Sequence, residues 1–351
     1  MHAGFINLIK PDKMKAVMIS EPGVVRVVEK EMPQPGAGEV LLKIRYVGFC
    51  GSDLSTYLGK NPMVSYPRIP GHEVAALVEK TGTDVPGSLQ KGTAVTVVPY
   101  TSCGQCPSCR RGRPYACQFN QTLGVQRDGA MCEFLVVPWQ KVVVAEGLTE
   151  KELALVEPLT VGFHAVDRGR VSGSDTVMVL GCGMVGIGAL TCSVLRNAQV
   201  IAVDIDDEKL SLAKQLGVQY TVNTGKEDLH ERLQQITPGG PDVVIEAAGN
   251  PHTYISAFNE VAFTGRVVCI GYAKDDVSFA TRLFVQKEID IIGSRNAAEA
   301  DFQSVINYLQ RKSFPVDRIL TRIVKHHEVA EAIQTWAENP GKVFKILLEL
   351  Q

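Results

Sequence analysis

Residues 176–204 read TVMVLGCGMVGIGALTCSVLRNAQVIAVD. An apolar strand (VMVL) runs straight into Gly181-Cys-Gly183-Met-Val-Gly186, which opens a helical run, and a second strand (VIAVD) closes on Asp204. A lone G-x-G-x-x-G means little, but with a strand before it and a helix after it the pattern marks a dinucleotide-binding βαβ unit. The first glycine permits the tight turn, the second lets backbone approach a pyrophosphate, and the third lets helix pack on strand. Met184 and Val185 begin the helix, whose unpaired N–H groups face the phosphate. Asp204, 18 residues past Gly186, can accept a ribose 2′-OH and would repel a 2′-phosphate, so the expected cofactor is NAD rather than NADP. Asp206 and Asp207 suit a helix N-cap and first turn.

Working outward, strands and helices alternate on the C-terminal side through DDEKLSLAKQLG, YTVN, EDLHERLQQI, DVVIEAAG, TYISAFNEVAF and RVVCIGY to IDIIGS near 289–294. That alternation implies a doubly wound parallel sheet. On the N-terminal side the runs are short and β-rich (VLLKIRYVGF, HEVAALVEK, GTAVTVVPY, CEFLVVPW) and broken by Gly and Pro turns, as in a barrel-like β domain. The class is α/β. Residues 1–160 are expected to form the β-rich domain, 161–295 the dinucleotide-binding domain, and 296–351 a return to the first. That return holds two amphipathic helices, near 299–311 and 327–337, and a closing strand VFKILLEL.

The chain has 351 residues, 45% hydrophobic and 21% charged, with net charge −2. This is an ordinary soluble composition, without the basic footprint of a nucleic-acid or anionic-membrane binder. No apolar run approaches the roughly 20 residues of a spanning helix. The opening MHAGFINLIKPDKMK lacks the pattern of a signal peptide, so the first dozen residues are expected to be an extension and the compartment the cytoplasm.

Nine cysteines are present. Cys103, Cys106, Cys109 and Cys117 are spaced C-x2-C-x2-C-x7-C in a lobe at about 100–118. Four thiolates so close suit a tetrahedral zinc and leave no position for substrate, which makes the site structural. A disulfide pair is the competing reading. Cys132, Cys182, Cys192 and Cys269 lie among apolar or small residues and read as compact hydrophobes. Other ligand-type residues are dispersed: Cys50, Ser52 and Asp53 in GFCGSD, His72 and Glu73 in PGHE, Glu157 and His164 in EPLTVGFHA. Singly, each could equally be a buried hydrophobe, a turn histidine or a solvated carboxylate.

Taken in order, GFCGSD, GHE, the four-cysteine lobe, the EP segment and GCGMVG with Asp204 resemble the zinc-dependent medium-chain dehydrogenases, the family of alcohol, sorbitol and threonine dehydrogenases. The likeness runs from Met14 to the end. It implies a GroES-like catalytic domain, a Rossmann domain and two zinc ions per chain. The catalytic zinc would be held by Cys50 and His72 with an acidic side chain. Glu157, as in the polyol branch, would bind directly or through water, and Glu73 is the alternative ligand. Asp53 would orient the histidine. Zinc would acidify a substrate hydroxyl and the alkoxide would pass hydride to NAD, with Ser52 moving the proton. Many relatives continue the relay with a histidine where this chain has Leu54-Ser55, so the route would run through Ser55, the ribose hydroxyls or water.

YPRIPGHE, GVQRDGAMCEF and GSRNA resemble bacterial polyol and sugar-acid dehydrogenases, which implies galactonate- or gulonate-like substrates. Arg68 and Arg295 could then receive a carboxylate. Loops 53–66 and 119–128 offer Ser55, Tyr57, Asn61, Asn120 and Gln126 as polar pocket walls. The resemblance also implies a homodimer or homotetramer with a small-molecule substrate. Competing readings are a simple alcohol or L-threonine dehydrogenase, a retired relative that senses a metabolite, and a zinc-ribbon-like binding protein suggested by Arg110, Arg111 and Arg113.

Overall fold

The computed structural model of the protein describes residues 13–350. The expectation about the first dozen residues therefore lies outside the described residues. Six parallel strands run in the order Tyr220–Asn223, Gln199–Asp204, Thr176–Leu180, Val243–Glu246, Arg266–Cys269, Asp290–Gly293. The direction of winding reverses between Thr176–Leu180 and Val243–Glu246, which opens a crevice at the strands' carboxyl ends. Val177, Met178, Val179 and Leu180 are all buried, because both faces of a parallel sheet are covered.

The second sheet has seven strands, and its axis is Glu39–Gly48. That strand pairs antiparallel with Glu73–Thr81 on one side and with Phe134–Pro138 and Lys345–Glu349 on the other. Lys345–Glu349 pairs in turn with Leu320–Lys325, in parallel. The chain's closing strand thus lies inside the N-terminal sheet. The expected helices of the tail are Glu299–Leu309 and Val329–Glu338. Among the described residues no helix is long and apolar enough to cross a membrane.

One helix, Val156–Arg168, joins the two halves. It packs on Met184–Leu195, the helix that follows the glycine turn, at the closest possible range. A Cβ on Gly162 would fall 2.3 Å from Ala189 N and Val185 O, and one on Gly188 2.6 Å from Leu159 O. Only glycine permits this approach. The helix that carries Glu157 in its first turn is thereby fixed to the helix that starts at the cofactor turn.

Candidate active site and metal centres

The lobe cysteines meet as their spacing predicts. Their four sulfur atoms lie within 4.8 Å of one another, with Cys106 Sγ 3.4 Å from Cys109 Sγ and 3.7 Å from Cys117 Sγ. These separations exceed the roughly 2 Å of an S–S bond, and all four are free thiols. Amides of Cys106 and Phe119 donate to Cys103 Sγ and Cys117 Sγ, each at 3.3 Å. Amides of Cys109 and Gln118 pull the Cys106 thiol down to about 5, whereas burial and the bond to Cys106 push Cys109 up to about 11. Four crowded thiols resist ionising together without a cation, and a zinc ion answers that need. The lobe is buttressed by Asn296 Nδ2, which donates to Tyr115 O at 2.7 Å, and by the His164 ring, edge-on to Tyr115 at 4.4 Å. His164 is otherwise paired with Asp301 at 2.8 Å, so its place is at this joint.

The dispersed candidates also converge. Gly48 faces Glu73 in the register of the central strand pair, so Cys50, two residues on, and His72, one residue back, sit at the same end of the sheet. Cys50 caps the helix Gly51–Tyr57 and donates its N–H to Asp53 Oδ2 at 2.9 Å. Asp53 Oδ1 receives Gly71 N at 3.4 Å. Asp53 therefore holds the backbones of both ligand-bearing segments; the expected bond to the imidazole is not formed, and buried His72 Nδ1 has no hydrogen-bond partner. Donor atoms of Cys50, His72 and Glu73 lie within 4.8 Å of one another.

Among the described residues that set does not include Glu157. Glu157 is 3% exposed and lies beside the set, its Oε1 accepting the phenol proton of Tyr100. Glu73 is held differently. Lys345 Nζ donates to its Oε1 at 2.7 Å, to its Oε2 at 2.6 Å, and to Phe49 O at 2.9 Å. Both partners are buried, and separating such a pair strands a charge at about 3–5 kcal/mol. Gly48 makes room for it, since a Cβ there would fall 1.9 Å from Glu73 Oε2. Sequence reasoning missed both Tyr100 and Lys345. A lone cation in the apolar run VFKILLEL was the available signal for the second.

The electrostatics call for a cation. Three buried carboxylates, Asp53, Glu73 and Glu157, and the Cys50 thiol face one ammonium and one imidazole. Burial pushes the carboxyls of Asp53 and Glu157 up. Burial pulls His72 down, but Cys50, then Glu157 and Asp53, outweigh it and hold the imidazole well above its usual range. One sulfur, one imidazole and carboxylate oxygen, with excess negative charge, fit Zn2+. Ser52 Oγ is buried at this site with no partner.

The crevice of the parallel sheet fits a dinucleotide. Gly181 has φ +96, and a Cβ on Gly186 would fall 1.8 Å from Gly181 O. A Cβ on Gly183, which caps Met184–Leu195, would meet nothing within 4 Å. That open space adjoins the helix N-terminus, where a pyrophosphate belongs. Asp204 is busier than expected: its Oδ2 takes Cys182 N at 2.7 Å, and its Oδ1 takes Ile205 N at 2.8 Å and Asp206 N at 3.1 Å. Asp206 caps the next helix as predicted. Glu246, at the facing strand end, accepts from Ala248 N, Gly249 N and Thr253 Oγ1 and fixes the neighbouring turn.

The expected substrate contacts fare unevenly. Arg68 is engaged by Asp128 Oδ1 at 3.2 Å and Ser65 Oγ at 3.0 Å, while Arg295 makes a long contact with Cys117 O at 3.5 Å. Asn61 Oδ1 accepts from Met63 N and Gln126 Oε1 from Thr122 N, each within its own loop, and Asn120 Oδ1 accepts from Thr101 N at the start of the cysteine lobe.

Residues 36–147 match the alcohol dehydrogenase GroES-like domain and residues 185–311 the zinc-binding dehydrogenase domain. The L-galactonate-5-dehydrogenase of Escherichia coli K12 is 31% identical over 334 residues, covering 95% of this chain and 98% of that protein. The structure of an alcohol dehydrogenase from Escherichia coli CFT073 complexed with NADH is similar with a TM-score of 0.89 at 30% identity, over 96% of this chain and 99% of the other. A protein from Sinorhizobium meliloti 1021 bound to NADP is similar with a TM-score of 0.88 at 28% identity, over 96% and 99%.

Proposed function

The chain belongs to the zinc-dependent medium-chain dehydrogenase family, and we propose that it uses NAD to oxidise a secondary hydroxyl of a polyol or aldonic acid of galactonate or gulonate type, with the ketone reduction as the reverse. The observation that carries this reading is the acidic Cys50–His72–Glu73 donor set, with Glu157 beside it. The likeness to L-galactonate-5-dehydrogenase supports the substrate class. Asp204 supports NAD, because a 2′-phosphate would meet its carboxylate.

When bound, zinc supplies a Lewis acid that acidifies the substrate hydroxyl, and the nicotinamide ring supplies the hydride acceptor. Cys50, His72 and Glu73 would hold the metal, and Asp53 fixes the two backbone segments that carry them. Ser52 Oγ takes the hydroxyl proton, while the hydrogen on the carbinol carbon leaves with the electron pair. Ser55, three residues along the same helix and so its neighbour on that face, is the next hydroxyl on the way out. Gly181, Gly183, Met184, Val185 and Gly186 form the pyrophosphate turn. The second zinc belongs to Cys103, Cys106, Cys109 and Cys117. A homodimer or homotetramer would use the edge strand Asp290–Gly293, where Ile291 is 48% exposed.

The test is a panel of polyols, aldonates, L-threonine and short alcohols, each with NAD and with NADP. The expected outcome is NAD-dependent turnover of a polyol or aldonate. Turnover of threonine or short alcohols alone, or with NADP alone, overturns the assignment.

A further inference from the structure

We infer that Tyr100 is a positioning residue: its phenol holds the Glu157 carboxylate outside the zinc-ligand set and so keeps a coordination position free for the substrate hydroxyl. The inference rests on the dehydrogenase reading above.

Two buried glutamates flank the metal site and are restrained in opposite ways. Glu73 lies inside the donor set, with both oxygens taken by Lys345 and its charge matched there. Glu157 lies outside the set, and its restraint is a neutral hydroxyl on Oε1. A neutral donor satisfies one oxygen without cancelling the negative charge, so Glu157 stays attractive to a cation. Its helix cannot slide, because Gly162 and Gly188 lock it to the next one. Only the Glu157 side-chain torsions decide whether the carboxylate reaches the metal, and Tyr100 fixes them.

Tyr100 is well placed for this task. Its ring is 4% exposed and packs in the large core with Leu148 and Val98. Its backbone follows Pro99 and leads into the lobe, where Thr101 N donates to Asn120 Oδ1 at 3.1 Å and Thr101 Oγ1 accepts Gln121 N at 2.7 Å. The phenol is thus held from behind by rigid structure. Three protein ligands and one open position are what catalysis at zinc requires. A fourth protein ligand would close it.

The test is Tyr100→Phe, which keeps the ring and deletes the donor. Release of zinc to a chelator is followed in the wild type, in Tyr100→Phe, in Glu157→Gln and in the double variant. Visible absorption of the cobalt-substituted forms is recorded alongside. With the tether gone, Glu157 turns onto the metal: the active-site ion is released about 10-fold more slowly, the cobalt bands shift as a carboxylate takes the fourth position in place of water, and kcat falls. The lobe zinc is released at the wild-type rate. In the Glu157→Gln background the Tyr100→Phe change has no further effect. Release at an unchanged or faster rate, or an equal shift in both backgrounds, overturns the inference alone. A wild type that binds only the lobe zinc overturns the dehydrogenase reading and this inference together.

Discussion

The cysteine lobe and the cleft cluster are both sets of metal donors, yet they are built on opposite plans. The lobe draws four like sulfurs from 15 consecutive residues, 103–117, and leaves no room for a further ligand. The cleft draws unlike donors from a helix cap and the start of one sheet strand, surrounds them with carboxylates, and leaves Ser52 Oγ and His72 Nδ1 without partners. Closed and uniform is what stability asks of a metal; open, mixed and overcharged is what chemistry asks. The lobe is also the more local object, able to form wherever its own segment folds, whereas the cleft exists only after the sheet has closed.

That contrast can be broken by mutation. The largest effect is expected from Cys109→Ser, which should lower folding stability by about 5 kcal/mol or more, read as a lower thermal midpoint and loss of one zinc. Normal folding with selectively lost hydride transfer would reverse the roles given to the two sites. Cys50→Ala should do the opposite, cutting kcat/KM about 10³-fold while the thermal midpoint stays near wild type; zinc analysis should then find only the lobe ion. Lys345→Met should strand the Glu73 carboxylate and destabilise the fold by about 3 kcal/mol. Adding Glu73→Gln should recover much of that in chemical denaturation, and no recovery would mean that Lys345 acts through something else. The smallest effect is expected of Asp53→Asn, about 10-fold in metal affinity by chelator competition, because the segments it ties are also held by the sheet.

How far each region was legible follows from how local it is. The glycine turn and the lobe declare themselves in contiguous residues, and both fold as read. Cys50, His72 and Glu73 could be joined only through the order of family motifs, since nothing in their spacing says that Gly48 will face Glu73. Lys345 stands 272 positions from Glu73, and its partner is decided by where the last strand enters the sheet. The polar loop residues are illegible for a different reason. Asn61, Asn120 and Gln126 are candidate pocket walls whose facing the sequence does not decide, and their amides bond to nearby backbone. Asp204 shows the same priority, with three backbone N–H groups on the carboxylate expected to receive a ribose.

The glycine contact between Val156–Arg168 and Met184–Leu195 shows the active site to be drawn from two packed parts. Glu157 stands on the helix that packs against the helix of the cofactor turn. Cys50, His72, Glu73 and Tyr100 stay with the seven-stranded sheet. The Tyr100–Glu157 hydrogen bond therefore stitches one part to the other. The cofactor turn and the metal site are thus two ends of one continuous run of packing: turn, helix, helix, carboxylate and phenol.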